Sequence, residues 1–171
     1  MERRTAVAVL VALALLPACR NDSTQVVAAD TPPATDHCTE VEDVPIQGEG
    51  HLVGQQEPPV DYNSVPPTSG WHTAGEIPIE VRDPDDPMRE PEQVTALEMG
   101  AVVVSYGDLP QDQYRDLERL IQEQFEDRAA LTSYERLQPG EVALTAWGRL
   151  QRCDAPDLAA VERFIDAFAQ R

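Results

Sequence analysis

Thr5 to Leu16 is an apolar run of about a dozen residues, behind Arg3 and Arg4 and ahead of Cys19. No other feature constrains the chain more, because it decides where and under what redox conditions the rest must fold. The run is too short to span a bilayer comfortably, and a positive start with a small residue near its end reads as a secretion signal. We therefore expect residues 1–18 to be a signal peptide. Leu16-Pro17-Ala18-Cys19 resembles a lipobox, in which the cysteine takes a diacylglycerol before cleavage. Cys19 is the expected lipidation site, although Pro17 departs from the usual residue there. The alternative is ordinary cleavage and a secreted protein. The expected location is outside the cytoplasmic membrane, with the lipid as the membrane contact and another envelope protein as a candidate partner.

An exported chain folds among oxidants, which changes the meaning of its other two cysteines. Cys38 and Cys153 are expected to form a disulfide. A metal or redox site made from the two thiols is the alternative, but no CxxC spacing supports it. Residues 19–43 read as a tether, since from Arg20 to about His37 the chain is polar and small and lacks aromatics. One domain remains, residues 44–171, which is long enough for a core of its own.

The charge removes whole classes of partner. The net charge is −18, and the 13 basic residues are all arginine. Nothing forms a basic stripe, so nucleic acid is not an expected partner, and the field would repel anionic headgroups. Asp83-Pro84-Asp85-Asp86 offers carboxylates to a divalent ion, but its prolines suit a solvated loop and EF-hand spacing is absent.

From Val44 to about Glu92 proline and glycine dominate, so short strands and ordered loops are expected. Patterning then sharpens. Ala101 to Tyr106 is a β-branched buried strand. Asp108-Leu109-Pro110-Gln111 looks like a helix start with Asp108 as cap. Tyr114, Leu117, Ile121 and Phe125 make one apolar helix face. A second strand is expected at Leu131–Tyr134 and a third from Val142 through Trp147 towards Arg152, after a Pro139-Gly140 turn. Asp154-Ala155-Pro156-Asp157 then caps a last helix whose apolar face is Leu158, Val161, Phe164, Ile165 and Phe168. The order β-α-β-β-α gives an α+β domain: a small mixed sheet, first two strands parallel and the third antiparallel, with two packed helices and a proline/glycine-rich loop region before it.

Three segments are not explained by propensity: Gly50-His51-Leu52-Val53, then Tyr62 through Pro66-Pro67-Thr68-Ser69-Gly70-Trp71-His72, then Leu97-Glu98-Met99-Gly100 before the valine strand, joined later by Ala146-Trp147-Gly148. At these positions, from about Cys38 to the C-terminus, the chain resembles the bacterial domain of unknown function 3105. That family carries a Gly-x-x-His-Val-like element, a Pro-Pro-Thr-Ser-Gly-Pro-His loop, a His-x-Leu-Glu-His-Gly element and an Ala-Trp-Gly strand followed by cysteine. The resemblance implies positions and a fold neighbourhood, not a reaction.

The family's His-x-Leu-Glu-His has the spacing of inverted zinc-peptidase motifs. Here Thr95 and Met99 stand at the two histidine positions, Glu98 matches, and Trp71 replaces the proline before His72. The metal-ligand candidates are therefore His51, His72, Glu98 and Met99, a set whose thioether suits copper better than a catalytic zinc. Loop histidines bonded to backbone and a core methionine are the plainer reading. Thr68-Ser69-Gly70 lacks a nucleophile elbow and reads as turn chemistry. Tyr62, Trp71 and Trp147 are candidates to line a ligand pocket.

The functional expectations follow in order. First is a non-enzymatic, membrane-tethered module that binds a ligand or protein through the loops around Tyr62, Trp71 and His72. Second is a metal-binding protein, for copper or zinc, using His51, His72 and Met99. Third is a relative of a metal-dependent hydrolase that has lost ligands. No catalytic residue and no cofactor is assigned beyond that ion.

Overall fold

A computed structural model describes residues 31–48 and 50–170. The expected signal peptide and Cys19 lie outside the described residues. Five strands form the main sheet: β1 (Glu42–Asp43), β4 (Val102–Tyr106), β5 (Ala129–Ser133), β6 (Val142–Ala146) and β7 (Arg149–Cys153). Strands β2 (Gly50–Leu52) and β3 (Trp71–Thr73) make a separate parallel pair. The helices are α1 (Glu90–Glu98), α2 (Gln111–Gln124) and α3 (Leu158–Phe168).

The main sheet runs β1-β7-β6-β4-β5. β4 and β5 are parallel, joined by α2 as a crossover, and β6 is antiparallel. The α+β class and mixed sheet are as the periodicity predicts. Four details differ. β6 pairs with β4 rather than with its sequence neighbour β5. The run from Val142 to Arg152 is a hairpin of β6 and β7, because Gly148 turns the chain at φ +69°. The cap of α2 is Pro110, with no side-chain hydrogen bond, so Asp108 does not cap it. A third helix, α1, covers the sheet as well.

The alternation of β4 assigns the layers. Val102, Val104 and Tyr106 face α2 and α3, meeting Leu117, Ile121, Val161 and Phe164. Val103 faces the other way, against Ala96 and Leu97 of α1. Both faces of β4 are covered, which is why its sequence reads as continuously apolar. β5 has its outer edge covered by an isolated bridge from Val81 to Leu131.

The expected disulfide is present between Cys38 and Cys153, both buried, across 115 positions of sequence. It fits an oxidising, extracytoplasmic compartment. The ordered chain begins before residue 44: Thr35 bonds Asp157, and Glu42–Asp43 pairs with β7 as an edge strand. Pairing with the sheet and the disulfide hold this polar strap where its composition alone does not. Among the described residues, no helix is long and apolar enough to cross a membrane.

Candidate metal centre

Strand register brings the histidines together. In the parallel pair, His51 stands directly opposite His72, with Gly50 opposite Trp71 and Leu52 opposite Thr73. Side chains alternate along a strand, so the two imidazoles share one face. Their ring centroids are 4.7 Å apart at an interplanar angle of 77°. Trp71, next along the chain, turns to the opposite face and lays its indole over Gly50, where an added Cβ would lie 2.7 Å from the ring. Gly50 is thus what lets Trp71 close over β2.

Helix α1 supplies the third group. The Thr95 hydroxyl donates within reach of two carbonyls, Thr73 at 3.0 Å and Pro91 at 2.8 Å, and so fixes the helix to β3. Glu98 is three residues on, hence on the same helix face. Its Oε2 lies 2.9 Å from His72 Nε2. One ligand atom each from His51, His72 and Glu98 lies within 4.8 Å of the other two. Thr95 thus serves as an anchor, while Glu98 reaches the histidines.

His72 is the organised member. It is 1% exposed, and its Nδ1 lies 2.9 Å from the Gly70 carbonyl. A carbonyl only accepts, so Nδ1 carries the proton and, in the neutral ring, Nε2 presents a lone pair. Gly70 adopts φ +117°, a backbone conformation side chains disfavour, and an added Cβ would press on the Tyr62 ring at 3.3 Å. The Nε2 contact with Glu98 lacks hydrogen-bond geometry, and Nε2 is otherwise without a hydrogen-bond partner among the described groups. A lone pair and a carboxylate oxygen therefore face each other with no proton of the neutral ring between them. A cation, either a proton or a metal ion, relieves that repulsion. Ligand atoms at ~2.0–2.1 Å from one zinc lie about 2.9–3.4 Å apart at angles of about 90–110°. The His72–Glu98 spacing is already in that range, and His51, being exposed, has room to close the remainder.

The other candidates sit around this centre. Met99 is the C-cap of α1 and packs with Ile77 and Trp147 against Ile79, Met88 and Leu97. The Tyr62 hydroxyl donates to the Trp71 carbonyl at 2.5 Å, and burial, aided by Glu90 and Glu57, pushes its pKa well up. These three aromatics buttress the loops. Ser69 is fully buried, and its Oγ accepts from the Gln47 N–H at 2.9 Å, so it closes a turn. The loop Asp83–Asp86 is tied internally, Asp83 accepting from the Asp85 N–H and Asp86 from Arg82.

Sequence reasoning passed over Thr95 as an anchor and Gly70 as the acceptor for His72. A threonine at a histidine position gives no hint of an anchoring role, and a carbonyl has no signature in a one-letter code. A family model described as "Protein of unknown function (DUF3105)" matches residues 54–171. The match takes in His72, Glu98 and Cys153 and begins just after His51. Neither a curated protein nor a solved structure matches the chain.

Proposed function

We propose that this chain, which belongs to the DUF3105 family, is an extracytoplasmic module that binds a divalent transition-metal ion through His51, His72 and Glu98. The observation that carries this reading is the buried His72 Nε2, whose lone pair points into a group that also contains a carboxylate and a second imidazole. Two nitrogens and one carboxylate oxygen suit zinc or copper(II), and three protein ligands leave a position open to solvent. The Gly70 carbonyl acts as the outer partner that fixes tautomer and ring orientation. The acidity of the chain favours cation approach. The module is held to the membrane by a lipid on Cys19. It is a binding module, and no reaction step is assigned to it.

The test is metal analysis and titration calorimetry on the full-length protein purified from the envelope. One equivalent of zinc or copper is expected, lost in the His51→Ala/His72→Ala double variant with the near-ultraviolet dichroism unchanged. Absence of binding to either ion, or binding that survives the double substitution, overturns the reading. Anchoring is tested apart from it: Cys19→Ala is expected to move the protein from membranes to the soluble fraction.

A further inference from the structure

The carboxyl ends of the parallel strands β4 and β5 open onto a cleft of about 730 Å³ that includes none of the metal-centre residues. Such a volume suits a small molecule, and the carboxyl end of parallel strands is where open sheets bind ligands. Three tyrosines line it. Tyr106 ends β4, Tyr134 follows β5, and Tyr114 stands in the first turns of α2. The backbone sets their spacing, since the Tyr134 N–H donates to the Tyr106 carbonyl at 2.8 Å. The rings of Tyr106 and Tyr114 are 5.5 Å apart and tilted by 52°, with Tyr106 buried at the base and Tyr114 half-buried beside it.

The charged side chains that line the cleft have one sign. Asp108 and Glu135 line it, and no arginine does among the described residues. Behind the rings, Tyr114 donates to Glu118 at 3.1 Å. Burial first, then the neighbouring Tyr114, Asp83 and Glu118, pushes the Tyr106 phenol up to about 12. The Tyr106 hydroxyl is buried and lacks a hydrogen-bond partner among the described groups, so the floor has unused polar capacity. Two opposing contributions exist. Arg136 acts on Tyr134, although Glu90 pairs with it at 2.8 Å. α2 begins beside the cleft without a side-chain cap, and a helix N-terminus carries roughly half a positive charge. Two lining carboxylates outweigh it.

We propose that this cleft binds a small organic ammonium cation. Aromatic faces attract such a cation through the ring quadrupole, and the carboxylates add a long-range attraction that a neutral molecule of equal shape does not feel. This site stands independently of the metal centre.

The probes are tetramethylammonium, its neutral near-isostere tert-butanol, and acetate, each titrated into full-length protein pretreated with chelator. Binding is followed by nuclear magnetic resonance of the tyrosine rings. Saturable shifts of Tyr106, Tyr114 and Tyr134 are expected with tetramethylammonium, about 10-fold tighter than with tert-butanol. The Asp108→Asn/Glu135→Gln double variant should weaken the cation about 10-fold and leave the alcohol unchanged. Tyr114→Phe keeps the ring and should bind as the parent does, whereas Tyr114→Leu should lose binding while retaining the parent dichroism spectrum. Equal affinity for cation and alcohol, indifference to the double substitution, or preferential binding of acetate at the first turn of α2 overturns the proposal.

Discussion

A buried histidine whose Nδ1 is committed to a carbonyl has one nitrogen left, and at His72 that nitrogen faces a carboxylate. The arrangement makes a prediction of opposite signs. Glu98→Gln replaces a repelling oxygen with an amide that can donate to Nε2. The metal-free protein should therefore gain about 0.5–1.5 kcal/mol in urea unfolding, while metal affinity falls. A loss of metal-free stability would mean that a proton, not a lone pair, faces Glu98 at Nε2. In acid, protons compete with a metal for the ligand atoms, so affinity should drop there. His51, His72 and Glu98 were visible in the sequence because motif chemistry singles out residue types. What holds them was not, since Gly70 acts through its carbonyl and Thr95 through a hydroxyl that crosses from helix to strand.

The elements show why legibility is uneven. α2 and α3 each present one apolar stripe and were readable from period alone. α1 is buried on most sides, with Gln93 and Thr95 inside alongside Val94 and Leu97, and both polar side chains donate to backbone carbonyls, Gln93 to Met88 and Thr95 to Pro91 and Thr73. It has no clean stripe to read. β2 and β3 are three residues each, too short for alternation to declare itself, yet their register builds the candidate centre. Gly50→Ala should test that dependence: its Cβ meets the Trp71 ring at 2.7 Å, so a cost of about 1–3 kcal/mol and weakened metal binding are expected together. Stability lost without any change in metal binding would separate the strand pair from the site. At α3 the cap is legible and testable. Asp157 accepts from the Ala160 N–H at 3.0 Å. Burial works against its carboxylate, but the Ala160 N–H and Thr35 hydroxyl, with Arg163 and His37, hold its pKa below the usual range. A lowered folded pKa means stability present above about pH 4 and lost as pH falls through the folded value. Asp157→Ala should cost about 1 kcal/mol at neutral pH, and the deficit should shrink in acid unfolding curves. A deficit independent of pH would rule out the carboxylate as its source.

At the scale of the molecule, the disulfide ties the strap to the last sheet strand across 115 positions. On the chain-entropy account a bridge that long is worth about 4–5 kcal/mol. The Cys38→Ser/Cys153→Ser variant should lose stability of that order in denaturant, with the fold retained at low temperature. An unchanged midpoint would mean that sheet pairing alone secures the strap. The acidity, by contrast, has no single structural partner. It acts as a field, and that is why it excluded nucleic acid from the sequence but could not locate either candidate cation site.

The bridge also fixes how the domain answers a pull. Tension entering from the N-terminal side reaches Cys38 and passes straight to Cys153, so the intervening chain, with both candidate sites, is bypassed. Stretched between its ends in a force spectrometer, the oxidised protein should extend only through its flanks. Reduction should add about 400 Å of contour length, the span of 115 extended residues. A load applied at the two chain ends would thus leave His51, His72 and Glu98 in register.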